Sequence, residues 1–179
     1  MKRIVVFCGS RAGRRAIFSH TAVCLAEYLA ARKVGIVYGG ARIGLMGILA
    51  DAALKIGGEV IGVIPQALAD REVAHTGLST LHVVNSMHQR KALMAELGDG
   101  FIALPGGFGT LDEFCEALTW AQLGLHRKPL GLLNVEGYYD ALLRMFQLAV
   151  REDFLRPETR ALVLDSDSHR ALLQKMGLP

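Results

Sequence analysis

Phe101-Ile102-Ala103-Leu104-Pro105-Gly106-Gly107-Phe108-Gly109-Thr110-Leu111-Asp112-Glu113 is the stretch on which the fold turns. Four apolar residues run into a proline and a cluster of glycines, after which Leu111, Phe114 and Leu118 follow at helical spacing. A strand that turns directly into a helix leaves the first N–H groups of that helix without backbone partners. They point, with the positive end of the helix dipole, at one spot. Glycine lets the main chain close on a phosphate there, and Thr110 adds a hydroxyl. Glu113 sets a carboxylate one turn further on. Thr110-Leu111-Asp112-Glu113 also fits a capping box, in which Thr110 and Glu113 merely satisfy orphan N–H groups. That reading accounts for the carboxylate, but not for the proline and glycines before it.

The same alternation extends in both directions. Strand-like runs fall at Ile4–Phe7, Val34–Tyr38, Val60–Ile64, Leu81–Val84, Phe101–Leu104, Leu130–Leu133 and Ala161–Leu164. Helical patterns occupy about 14–31, 43–56, 86–97, 110–124, 137–151 and 167–176. Near-continuous hydrophobic strands alternating with helices predict an α/β, doubly wound, Rossmann-like fold: a mostly parallel sheet of about seven strands, helices on both faces. With no repeat or linker, residues 1–179 are expected to form a single nucleotide-monophosphate-binding domain.

Such sheets bind ligands beyond the carboxyl ends of their strands. The first strand there meets Cys8-Gly9-Ser10, the second Tyr38-Gly39-Gly40-Ala41-Arg42-Ile43-Gly44, and the fifth the Pro105–Thr110 turn. Their convergence on one edge makes Gly39 and Gly40, with Gly106, Gly107 and Gly109, candidate contacts to a phosphate-bearing ligand. A dinucleotide fingerprint is missing, because Gly9-Ser10-Arg11-Ala12-Gly13 lacks the G-x-G-x-x-G spacing, and no G-x-x-x-x-G-K-[ST] occurs.

Bulk properties exclude other classes. Apolar residues make up 51% and charged residues 21%, ordinary for a globular protein, and the net charge of +3 is too small to argue for nucleic acid. Arg11, Arg14 and Arg15 read as a solvated loop face. The apolar run after Met1-Lys2-Arg3 is too short for a signal core or a membrane span. Cys8, Cys24 and Cys115 are odd in number and form no C-x-x-C pair, so buried reduced thiols in a cytoplasmic protein are expected.

One further charge is out of place. Arg90 lies three residues after Met87 and four before Met94, inside an apolar helical stripe. A guanidinium there is costly unless it snorkels, pairs with a carboxylate or meets a ligand. Lys91 fits an ordinary helix edge. Glu72, in the polar connection Asp70–His75, acquires no role from its surroundings, and His75, His82 and His88 do not have the spacing of a metal set.

Pro105-Gly106-Gly107-Phe108-Gly109-Thr110-Leu111-Asp112-Glu113 matches a PGGxGTxxE signature, and Met87-His88-Gln89-Arg90-Lys91 its companion MHxRK. With Phe7-Cys8-Gly9-Ser10, Gly44-Leu45-Met46-Gly47 and Thr119–Gly124, the chain resembles the LOG (LONELY GUY) family of cytokinin riboside 5′-monophosphate phosphoribohydrolases, formerly labelled lysine decarboxylases. The resemblance implies a Rossmann-like homodimer that splits a purine nucleoside monophosphate, such as AMP, into free base and ribose 5-phosphate, with no metal or redox cofactor. It assigns Arg90 and Glu113 as catalytic. Glu72, Lys91, Gly107, Phe108, Gly109, Thr110, Leu111, Asp112 and Thr119 become substrate contacts. Ala41, where the family often has glycine, and Asp112, where it often has Glu, are small departures.

Glu113 either stabilises an oxocarbenium-like ribose or activates water, as in glycoside hydrolysis; Arg90 either stabilises charge on the leaving base or fixes the phosphate. Two other readings compete. A molybdenum-cofactor carrier of the same fold needs the cradle but not the charged pair. A pyridoxal-phosphate decarboxylase needs a Schiff-base lysine and a partner for the pyridinium nitrogen, and Lys91 alone does not supply these.

Overall fold

The computed structural model describes residues 2–178, except for the side chains of Arg71 and Glu72. Seven strands, β1 (Arg3–Phe7), β2 (Gly35–Tyr38), β3 (Val60–Pro65), β4 (Thr80–Val84), β5 (Gly100–Ala103), β6 (Leu130–Leu133) and β7 (Val163–Ser166), form one sheet. Their order is β4-β3-β2-β1-β5-β6-β7, and every pairing is parallel. At the centre, Val5 pairs with Val37 on one side and Phe101 on the other.

Alternating side chains feed two cores. Ile4, Val6, Ile36 and Ile102 face Leu25 and Leu29 of α1 (Ala16–Ala31), Leu45 and Leu49 of α2 (Gly44–Lys55) and Leu172 of α8 (His169–Lys175). Val5, Phe7, Val37 and Phe101 face Met94 of α4 (Met87–Leu97), Phe114 and Ala117 of α5 (Phe108–Gln122) and Leu143 of α6 (Asp140–Arg151). Burial on both faces is what makes the inner strands uniformly apolar. The sheet with helices on both faces agrees with the sequence reading.

Three local differences have physical causes. Pro157 opens a short helix, α7 (Pro157–Arg160), at its first position, and the turn after it moves β7 two residues beyond the expected start. The polar connection after β3 winds into α3 (Gln66–Leu68) and a π-turn over Ala69–Val73. The helix expected from residue 110 begins at Phe108, because Gly107 adopts the extended cap conformation.

One glycine ties two loops together. Gly44 has φ +58°, and a methyl group on it would overlap the Ser10 backbone. Leu45 N–H reaches the Gly9 carbonyl at 3.0 Å across the same contact. The start of α2 is thereby held against the turn that follows β1.

Candidate active site

β1 and β5 are neighbours, yet β1 leads into α1 on one face and β5 into α5 on the other. Their outgoing loops part, and a cavity of about 430 Å³ opens between them. Gly9 and Ser10 line it from the first loop, Gly39 from the second, and Gly107, Phe108, Gly109 and Thr110 from the third. The convergence of glycine turns is therefore real. Methyl groups placed on Gly107 or Gly109 would meet no atom within 4 Å, so the backbone there is open to a ligand.

With Gly107 at the N-cap, Thr110 falls inside the first turn of α5 and is buried, and Glu113 lies one turn deeper. The capping box does not form. Gly107 has no side chain to claim the first N–H groups of the helix, and the Glu113 carboxylate turns inward to meet a cation.

That cation is Arg90. Ser86 caps α4 by accepting from the Gln89 N–H at 3.2 Å, and Gln89 Oε1 takes the N–H of Asn85 at 2.8 Å. This fixed start sets Arg90 on the inner face of the helix. Its Nε donates to the Val63 carbonyl at 3.0 Å, its Nη1 lies 2.9 Å from Glu113 Oε1, and its Nη2 packs against Gly39. Any side chain at position 39 would occupy the space of the guanidinium. Both charged residues are only 8% exposed, and both line the cavity. Burial raises the Glu113 carboxyl pKa above its usual range; Arg90 opposes the shift, and nearby Asp112 reinforces it.

Cys8 lies against the same pair, with its thiol pKa driven upward by burial and by the charge of Glu113. A thiol so protonated is a poor nucleophile.

The remaining predicted residues divide by location. Lys91 points away to Asp112 (3.2 Å) and Glu116 (3.1 Å). Burial works against its charge, but those two carboxylates outweigh the effect and hold the ammonium pKa above its ordinary value. Leu111 packs into the second core. Gly40 sits beneath the cavity wall, with φ +75° and its Cα side against Ile64. Thr119 donates to the Cys115 carbonyl at 2.8 Å and lines a separate cleft with Phe146 and Phe154. Gly106 borders a neighbouring groove with Tyr138. Glu72 falls within the π-turn, and its side chain lies outside the described residues.

Sequence reasoning missed the apolar residues of the cavity lining, Ile43, Met46, Ile64, Leu68 and Val73. Leu68 and Val73 come from the turn after β3, which is fastened down at its end. Ala41 and Ala74 form an antiparallel bridge, Arg42 N–H reaches the Val73 carbonyl at 2.8 Å, and His75 N–H reaches that of Gly40 at 2.9 Å. The only signal in the sequence was apolar residues within a charged connection.

Residues 46–176 match the family described as "Possible lysine decarboxylase". The chain is 55% identical over 164 residues to the cytokinin riboside 5′-monophosphate phosphoribohydrolase of Rhodococcoides fascians, covering 91% of this chain and 83% of that one. It is 49% identical over 175 residues to the Arabidopsis thaliana enzyme of the same name, LOG1, covering 98% and 82%. Among solved structures, the molybdenum cofactor binding protein of Rippkaea orientalis superposes with a TM-score of 0.74 at 21% identity, covering 99% of this chain and 96% of that one. The molybdenum cofactor carrier protein of Chlamydomonas reinhardtii gives 0.73 at 20%, covering 97% and 96%. At that identity the carriers share the fold and no more. Near half-identity over almost its whole length, together with the motifs seated on this cavity, places the chain in the LOG family of cytokinin riboside 5′-monophosphate phosphoribohydrolases.

Proposed function

We propose that this protein hydrolyses the N-glycosidic bond of purine riboside 5′-monophosphates, cytokinin ribotides or AMP, to free base and ribose 5-phosphate. The observation that carries the reading is the buried Arg90–Glu113 pair lining the same cavity as the open glycine turn. A carrier would need the cradle, but it gains nothing from a desolvated ion pair beside it.

The 5′-phosphate docks on the first-turn N–H groups of α5 and on Thr110, and its binding energy places the anomeric carbon near Glu113. As the bond breaks, its electron pair leaves with the purine and the oxygen of water bonds to the sugar carbon. Water gives up one proton to Glu113, which then releases it to solvent, and the departing base takes one proton from solvent, so that one water is consumed overall. Glu113, ionised, faces the positive charge growing on the ribose and accepts the proton of water. Arg90 holds that carboxylate in place and offers Nη2, beside Gly39, to the departing base. The apolar lining residues Ile43, Met46 and Leu68 suit a purine or its N6 substituent. Glu72, Lys91 and Thr119 keep the support of the family pattern as substrate contacts.

Decarboxylation through a pyridoxal Schiff base fits these residues poorly. It needs a lysine with a readily neutralised amine facing the ligand, whereas Lys91 is bound to two carboxylates that favour its charge. We further assign the protein as a cytoplasmic homodimer acting on a small molecule, not on nucleic acid or at a membrane. Free thiols on Cys8, Cys24 and Cys115 support the compartment. Exposed Leu123, Leu125, Met145, Leu148 and Phe154 support self-association.

The deciding experiment is chromatography of purified protein incubated with AMP or N6-isopentenyl-AMP. Free base and ribose 5-phosphate, lost in Glu113→Ala, are expected. Tight nucleotide binding without base release from either substrate overturns the reading in favour of the carrier.

A further inference from the structure

The Pro105–Phe108 strip is a thin partition. The 430 Å³ cavity lies on one side of it and a groove of about 660 Å³ on the other, and Gly9, Ser10, Gly107 and Phe108 border both. Side-chain packing does not hold Gly107, which has no atom within 4 Å where a side chain would sit, and its conformational entropy opposes a fixed cradle. Hydrogen bonds to the carbonyls of Leu104, just before the strip, and of Pro105 and Gly106 within it hold it instead. Leu104 C=O accepts from Tyr139 Oη at 2.6 Å, Pro105 C=O from Gly9 N–H at 3.1 Å, and Gly106 C=O from Tyr138 Oη at 2.6 Å.

The last of these bonds matters most for the cradle. In a trans peptide, the carbonyl and the following N–H point in opposite directions from one rigid plane. Fixing the Gly106 carbonyl on Tyr138, which borders the groove, turns the Gly107 N–H away from that groove.

Tyr138 is contacted from several sides. Glu136 and Gly137 both adopt left-handed φ, +52° and +73°, the former unfavourable for a residue with a side chain. Arg15 grips Glu136 at 2.7 Å, and Asn134 holds the Tyr139 N–H at 2.7 Å and Asp140 at 2.8 Å. The Tyr138 ring meets Phe18 and Tyr139 edge to face, at 5.8 and 5.0 Å.

We infer that Tyr138 is a positioning residue for the phosphate site: through the Gly106 carbonyl it presets the Gly107 N–H for a phosphate monoester dianion. The inference rests on the phosphoribohydrolase reading for its kinetic consequence, but not for its binding consequence.

Tyr138→Phe keeps the ring and removes the hydroxyl. Calorimetric titration with ribose 5-phosphate, and with adenosine as the phosphate-free control, is compared in wild type and variant alongside steady-state kinetics on AMP. We expect ribose 5-phosphate to bind about fivefold to tenfold more weakly, the reach of one neutral hydrogen bond, with adenosine unchanged. KM for AMP should rise by the same factor while kcat and the pH profile stay put. Unchanged ribose 5-phosphate affinity, or equal losses for ribose 5-phosphate and adenosine, overturns the inference. So does a fall in kcat at constant KM. If wild type releases no base from any nucleotide, the reading of function fails, and the two titrations still decide the role of Tyr138.

Discussion

The Arg90 guanidinium lies 2.9 Å from the Glu113 carboxylate, and each residue is nine-tenths hidden from solvent. Two charges buried together cost desolvation free energy that their attraction offsets only while both are present. Arg90→Met and Glu113→Leu should each destabilise the fold by about 3 kcal/mol, and the double variant by clearly less than the sum. Urea denaturation of the four proteins measures this coupling. Strict additivity would show that the pair contributes nothing as a pair.

Base release should fall at least ~100-fold in Arg90→Ala and in Glu113→Gln, the lower range for a catalytic group. Rates near wild type in either folded variant would remove that residue from the mechanism.

Acid should suppress the reaction at a higher pH than an ordinary glutamate allows, since Glu113 must be ionised and burial, against Arg90, raises its pKa above 4.5. The same shift has a stability consequence of opposite sense. Between 4.5 and the raised value the folded chain binds more proton than the unfolded one, so this contribution is whole below 4.5 and is lost as pH climbs through the folded pKa. A pH series of kcat/KM, with melting curves for wild type and Glu113→Gln, tests both. Activity should rise, and stability relative to the variant should fall, across one window.

Gly39→Ala should act at a distance of one contact. Its methyl would overlap Arg90 Nη2, and overpacking of this kind costs about 1–3 kcal/mol. The guanidinium must swing from Glu113, so kcat should drop more than tenfold while the protein still folds. Parallel melting and turnover assays check that the two effects separate.

Tyr38→Phe should do the reverse. Tyr38 is fully buried, and its hydroxyl has no hydrogen-bond partner among the described residues. Removing an unsatisfied buried hydroxyl is expected to stabilise the fold by about 1 kcal/mol, read as a higher melting temperature with turnover unchanged.

The architecture was legible because the five inner strands are buried on both faces. Runs such as Val34–Tyr38 and Leu130–Leu133 therefore stand out against the helical periods between them. The meeting of glycine turns at one cavity was legible for a related reason, since left-handed turns and close backbone approach both concentrate glycine at strand ends. The Arg90–Glu113 contact was legible only in half. An arginine in an apolar stripe announces a need for a partner without naming it, because its partner is 23 residues away on another helix. Tyr138 and Tyr139 gave no signal, since an aromatic pair in a turn looks the same whether or not its hydroxyls hold a loop elsewhere. Leu68 and Val73 were hidden for the opposite reason: charged neighbours masked their apolar side chains.

The clasp between Ala41 and Ala74 divides the cavity's inheritance. The apolar lining is written largely in residues 43–73 and the open glycine turn in residues 105–110, and the clasp fastens the end of the first to Gly40 and Arg42, not to the second. A substitution among the apolar residues therefore alters that part of the lining without changing the glycine turn's own sequence. Under the proposed function, substitutions in the apolar lining can change which base is accepted while the loop proposed for the phosphate keeps its sequence.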